Sequence, residues 1–171
     1  MPGLIDDLVD IMSKENEIYK DLIPIASEKT NVIIKNDLTA LQNITDQEQL
    51  VIERINSLER KREEVIKNIG TVLGKDPKAL DMKTLIKIMG KQPKEQQRLS
   101  KIHDELKATL KTLVTINDRN KVLIEQSLEM IEFNINLLQS SRMMPEGNNY
   151  DKNAGELGLQ GNATRMFDAK Q

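Results

Sequence analysis

His103 is the only histidine in the chain, so a catalytic base or a metal ligand at that position lacks an imidazole partner. A di-iron helical bundle needs repeated Glu-x-x-His motifs, and none is present. His103-Asp104-Glu105-Leu106 spells an endoplasmic-reticulum retention signal, which is read only at a C-terminus. Gly70-Thr71-Val72-Leu73-Gly74-Lys75 approaches a phosphate-binding loop. It is one residue short, Asp76 replaces the magnesium-binding hydroxyl, and no strand precedes it. A helix stop explains it better. Gly155, Gly158 and Gly161 do not make a dinucleotide fingerprint without a strand–turn–helix context. The carboxylate pairs Asp6-Asp7 and Glu63-Glu64 are adjacent residues. On a helix adjacent side chains do not face each other, so neither makes an acid/base dyad. Asn43-Ile44-Thr45 and Asn162-Ala163-Thr164 match a glycosylation pattern but have no secretory signal to accompany them. No catalytic, cofactor-binding or metal-binding set emerges, and no enzyme is expected.

Composition points the same way. Of 171 residues, 30% are charged and only 2% aromatic, with no Trp and no Cys. That balance suits long helices, and it excludes disulfides and thiolate chemistry. The net charge of −2, with both signs interspersed, disfavours nucleic acid as a partner, because phosphate binding wants a clustered basic surface. No stretch approaches the ~18 apolar residues of a membrane span. A cytosolic protein is expected.

The elements follow from helical periodicity. A first segment runs from about Leu4 to Asn36, with Leu4, Leu8, Ile11, Ile18, Leu22, Ile25 and Val32 on one face. Glu15 and Lys29 fall in that stripe and are read as its solvated edges. Pro24 lies inside it and is expected to kink it. Asn36-Asp37 marks a break, with Asp37 as N-cap of a second segment from Leu38 to about Ile69, closed by Gly70 and Gly74. Its stripe is Leu38, Leu41, Ile44, Val51, Ile52, Ile55, Leu58, Val65 and Ile69.

Residues 75–92 form a separate unit. Asp76-Pro77 starts a helix, and Leu80, Leu85, Ile86 and Met89 give it an apolar side. The third long segment begins near Pro93 and reaches about Gln139, roughly 70 Å against about 50 Å for each of the others. Its stripe runs from Leu99 through Leu113 and Ile124 to Leu128, Ile131, Ile135 and Leu138. Asn117 and Asn120 lie on or near it and read as buried polar register markers ahead of a binding role. The expected fold is all-α, an antiparallel bundle of three long helices with a short intervening helix and a flexible C-terminal tail. The short helix covers the N-terminal end of the third long helix, which leaves its C-terminal end bare.

Residues 1–140 thus form the bundle domain and 141–171 the tail. The tail holds four of the eight glycines together with Pro145, so a long helix is not expected there. Its few large apolar residues, Leu157, Leu159, Met166 and Phe167, offer too little area to offset the entropy of ordering. Met143, Met144 and Met166 read either as adaptable contacts for a partner surface or as tail residues without such a role.

Lys35-Asn36-Asp37-Leu38-Thr39-Ala40-Leu41, Glu48-Gln49-Leu50 and Leu58-Glu59-Arg60-Lys61-Arg62 occur in the order seen in a known family. Leu113, Asn117, Asn120, Leu123-Ile124 and Ser127-Leu128 follow its N-x-x-N-x-x-L-I-x-x-S-L helix, and Tyr150 with Gly155 is similar to the start of its tail. Across residues 4–170 the chain resembles the FlgN family of flagellar export chaperones. The resemblance implies a non-enzymatic cytosolic chaperone. It would bind the hook–filament junction proteins (the hook-associated proteins), keep them soluble and deliver them to the type III export gate. The family's client region is C-terminal. It maps onto Leu128, Ile131, Ile135 and Leu138 as an apolar stripe and onto Leu157, Leu159, Met166 and Phe167 as a segment that orders on binding. Tyr150 is a candidate contact with the client or the export machinery. The alternative is a structural or scaffolding coiled-coil protein that self-associates.

Overall fold

The computed structural model describes residues 2–142. Tyr150, Leu157, Leu159, Met166 and Phe167 lie outside them, as do the three tail methionines. The described residues fold into α1 (Pro2–Ile34), α2 (Leu38–Leu73), a short α3 (Met82–Ile88) and α4 (Pro93–Arg142), with single 3-10 turns at Pro77–Ala79 and Met89–Lys91. α1 passes through Pro24 without a break.

The joints are built by local chemistry. Asn36 takes the left-handed conformation (φ 54°), and the Asp37 N–H donates to the Val32 carbonyl at 3.2 Å, which closes α1. Asp37 then caps α2, its carboxylate accepting from the Ala40 N–H at 3.0 Å. Gly74 (φ 62°) ends α2, and the Lys75 N–H donates to the Gly70 carbonyl at 2.9 Å. Gly70 itself does not end the helix. It is buried inside α2, where a Cβ would stand 2.9 Å from the Lys75 carbonyl oxygen and 3.1 Å from Pro77 Cγ. The requirement there is close approach of the returning chain. Asp76 and Asp81 cap the next two turns.

α1 and α2 form an antiparallel hairpin whose register can be read in heptads. Leu8, Glu15, Leu22 and Lys29 are seven apart on α1, and Ile69, Arg62, Ile55 and Glu48 are seven apart on α2. Leu8 and Ile69 share one core cluster, and Leu22 and Ile55 share the other. Alternating with these layers, the charged positions meet: Arg62 Nε lies 3.3 Å from Glu15 Oε1, and Lys29 Nζ lies 2.6 Å from Glu48 Oε2. The expectation of solvated edges fails here. Glu15 is only 1% exposed, and both charges are interhelical ties within the stripe.

α4 runs parallel to α1 and antiparallel to α2. Arg98 pairs with Asp6, and Asn120 reaches Ala26 and Thr30. The α1–α4 contact extends along most of α1, whereas no Cα of α2 comes within 8 Å of a Cα of α4. α1 is therefore the middle helix, and a groove of about 620 Å³ opens between α2 and α4 with α1 as its floor.

The segment between α2 and α4 closes one end. Leu80, Leu85 and Met89 are buried against Ile5, Leu8, Met12, Ile69, Leu99, Ile102 and Leu106. Gln96 Nε2 donates to the Ile86 carbonyl at 3.0 Å and ties α4 to α3. The short unit caps the end where α4 begins, as its apolar spacing requires.

Candidate partner-binding site

The other end has no such cap. With Asp6 beside Arg98 and Thr30 beside Asn120, α1 ends at Ile34 opposite the region of Gln126. α4 continues to Arg142, so its last ~16 residues, about 24 Å, extend past the hairpin. Apart from the hairpin end, which meets Leu128 and Ile131, nothing else among the described residues covers them.

The register that sets this overhang is held by Asn120, which is 3% exposed. Its Nδ2 donates to the Ala26 carbonyl at 2.8 Å, and the Thr30 hydroxyl donates to its Oδ1 at 2.5 Å. A one-heptad slip would put Leu113 or Ser127 there and lose the amide that serves Ala26 and Thr30 together. Asn120 is thus the register marker that its place in the stripe suggests. Asn117 is not. It is exposed at the mouth of the α2–α4 groove.

The stripe that is buried at Leu99, Ile102, Leu106 and Leu113 comes out into solvent at Leu128, Ile131, Ile135 and Leu138. At its root is an apolar notch of about 90 Å³ where α4 leaves the hairpin. Val32 and Ile33 from α1, Leu38 and Leu41 from α2, and Leu128 and Ile131 from α4 line it. Leu38, 75% exposed at the hairpin tip, extends this apolar surface onto α2.

One reading of periodicity missed a second set. Met130, Phe133 and Leu137 are also exposed, and their i, i+3, i+7 spacing puts them on one face. At 3.6 residues per turn that face is centred about 150° from the first. Upstream the same angular sector is mainly polar, at Thr112, Thr115, Arg119 and Gln126, with Val122 and Leu123 at its margins, so the apolar face becomes continuous only on the overhang. The signal was available as an additional apolar repeat confined to the last four turns of the helix. A helix that is apolar on two faces is normally buried. Single exposed apolar residues are ordinary, but a contiguous set marks an interaction surface.

Charge on the overhang is one-sided. Between Lys121 and Arg142 there is no basic residue, and Glu125, Glu129 and Glu132 fall along one edge between the two apolar faces. The opposite edge carries Ser127, Asn134 and Ser141.

The rest of the molecule offers little chemistry. His103 is partly buried on α4, and no group of His, Asp or Glu among the described residues could hold a metal ion. The one strongly buried carboxyl, Glu15, is held above its ordinary range by desolvation, against the pull of Arg62 and with help from Glu59. It lies in the α1–α2 seam and is not among the residues that line the α2–α4 groove. No described helix is long and apolar enough to cross a membrane.

A family model described as FlgN protein matches residues 1–158. The chain belongs to the FlgN family. That family is one of flagellar export chaperones, not of enzymes, and the helical architecture agrees with the resemblance in the sequence. The FlgN match spans all of the α1–α2 hairpin, α3 and α4. A relative in Bacillus subtilis (strain 168), the uncharacterized protein YvyG, is 24% identical over 155 residues, 90% of each chain. No solved structure matches.

Proposed function

We propose that this chain is a cytosolic chaperone for the hook–filament junction proteins and that the overhang of α4 is its client site. The observation that carries the reading is the run of exposed apolar side chains from Leu128 to Leu138 on a helix that has left its bundle. Leu128, Ile131, Ile135 and Leu138 continue the stripe that binds α1, so a client helix laid there would take up the line of α1 beyond its end. This is helix-in-groove recognition, with the notch at Val32, Leu38 and Leu41 receiving the first side chain. Leu157, Leu159, Met166 and Phe167 add contacts by ordering on the client. Ordering consumes part of the interaction energy, which suits a client that must later be released. Tyr150 is the residue proposed to touch the client or the export gate.

A chain ending at Arg142 should keep its helical circular dichroism and lose affinity for a purified junction protein in a pull-down. Binding at full strength would remove the tail from the site. The rival, a self-associating scaffold, predicts large assemblies of the chain alone and no effect on client solubility. Light scattering of the chain with and without a junction protein separates the two readings.

A further inference from the structure

We propose that the client engages the overhang with two helices at once, one on each apolar face, and that basic side chains beside their apolar stripes meet the edge formed by Glu125, Glu129 and Glu132. The inference rests on the client reading above and sharpens what the client must look like. A single straight helix covers an arc of about 100° on its neighbour. The faces Leu128/Ile131/Ile135/Leu138 and Met130/Phe133/Leu137 are centred about 150° apart, so one helix cannot cover both. The second face is continuous only where α4 stands alone, because upstream its sector is mainly polar, with Val122 and Leu123 at its margins.

Its size argues for a second arm of the same molecule. Three partly exposed side chains present on the order of 300 Å², well under the ~800 Å² per partner of a stable interface. As a separate docking site that is too little. As a second contact for a molecule already held on the first face it suffices, because the local concentration of a tethered helix is high. A second copy of this chain fits less well. Antiparallel pairing through Met130, Phe133 and Leu137 would set the two acidic edges against each other, and like charges oppose association. A client with Lys or Arg on the flank of both helices is drawn to that edge, which lies between the two faces and has no basic residue of its own.

The test titrates a purified hook–filament junction protein from the same organism into the full-length chain and into three variants by calorimetry. The variants are Ile131→Ser with Ile135→Ser, Met130→Ser with Phe133→Ser, and Glu129→Lys with Glu132→Lys. All the substituted residues are exposed on α4 at or past the hairpin end, so circular dichroism should show the bundle intact in each. We expect one-to-one binding and a loss of about tenfold or more for each apolar variant. The charge variant should lose affinity most at low salt. Wild-type affinity in the Met130/Phe133 variant overturns the proposal. So does a stoichiometry of two clients per chain, or an effect of that variant on self-association alone by ultracentrifugation. If residues 143–171 of the chain itself cover the second face, the same variant binds the client as tightly as wild type or more tightly, and the proposal fails. If the wild-type chain binds no junction protein, the functional reading itself falls, a result distinct from these.

Discussion

Arg62 Nε stands 3.3 Å from Glu15 Oε1 across the α1–α2 seam, without the geometry of a hydrogen bond. The Glu15 side chain is 2% exposed, while that of Arg62 reaches solvent. Coulomb attraction is thus offset by the desolvation of a carboxylate among apolar neighbours. Removing Arg62 leaves that charge uncompensated. Arg62→Ala should destabilise the chain toward the lower end of the ~3–5 kcal/mol seen when one partner of a buried pair is lost, read by urea denaturation.

The sign reverses for the other partner. The Glu15 carboxyl is raised above 4.5, by desolvation first. The folded state therefore holds this proton to higher pH than the unfolded chain does. Stability from this group falls as pH rises through the window between 4.5 and the raised value, and it recovers on acidification. Glu15→Gln should stabilise the fold at pH 7 by about 1 kcal/mol. That gain should shrink as pH approaches 4.5. A gain that is the same at both pH values would mean that Glu15 titrates normally.

The seam also excludes wrong registers. A slip of one heptad sets Glu15 against Ile55 or Ile69, and a slip of two sets it against Glu48 or Lys29 against Arg62. Only the observed register pairs opposite charges. Lys29→Glu alone should cost about 2 kcal/mol by opposing Glu48, and adding Glu48→Lys should restore most of it. A double variant no better than the sum of its singles would show that the pair is not coupled.

Asn120→Ala removes both side-chain hydrogen bonds at the last buried layer before the overhang and opens a small void. We expect a loss of about 2 kcal/mol in thermal or urea unfolding. Asn120→Leu should be milder in stability. Thr30 can turn back to the Ala26 carbonyl, which it already approaches at 3.3 Å. Its signature is instead register heterogeneity, read as a loss of nuclear magnetic resonance peak uniformity in α4.

Gly70→Ala forces a methyl group against the Lys75 carbonyl oxygen. Backbone cannot yield as a side-chain tip can, so a loss of roughly 1–3 kcal/mol is expected from a thermal melt. Ala at Gly3, where a Cβ meets nothing within 4 Å, is the matched control and should be close to neutral.

Much of this was legible in the chain. The apolar stripes, Asp37 as cap, the covering role of the short unit and the bare end of α4 all follow from local rules, whereas Asp76-Pro77 opens only a 3-10 turn and the short helix begins later, capped by Asp81. Their physics is contained within a few consecutive residues. What was misread depends on the partner helix. Glu15 and Lys29 look like edges when α1 is read alone, and become ties only when Arg62 and Glu48 are placed opposite them at the same heptad spacing. Gly70 looks like a stop because its need for space comes from Lys75 and Pro77. Met130, Phe133 and Leu137 fall outside the one apolar stripe that accounts for a packed helix, and only the emergence of α4 from the bundle makes a second one informative. Of the proposed contacts, Leu128, Ile131, Ile135 and Leu138 are exposed as a binding face requires.

The central claim is that the end of α4 past the hairpin receives the client. Its most direct test is amide hydrogen exchange over residues 126–142, with and without a purified junction protein. An unsupported helix of this length is marginal in water and should exchange rapidly in the free chain, faster than residues 99–120. The account predicts strong slowing there on client binding, with the α3 end of the bundle unchanged. Exchange over 126–142 that stays fast while the client is demonstrably bound would contradict it.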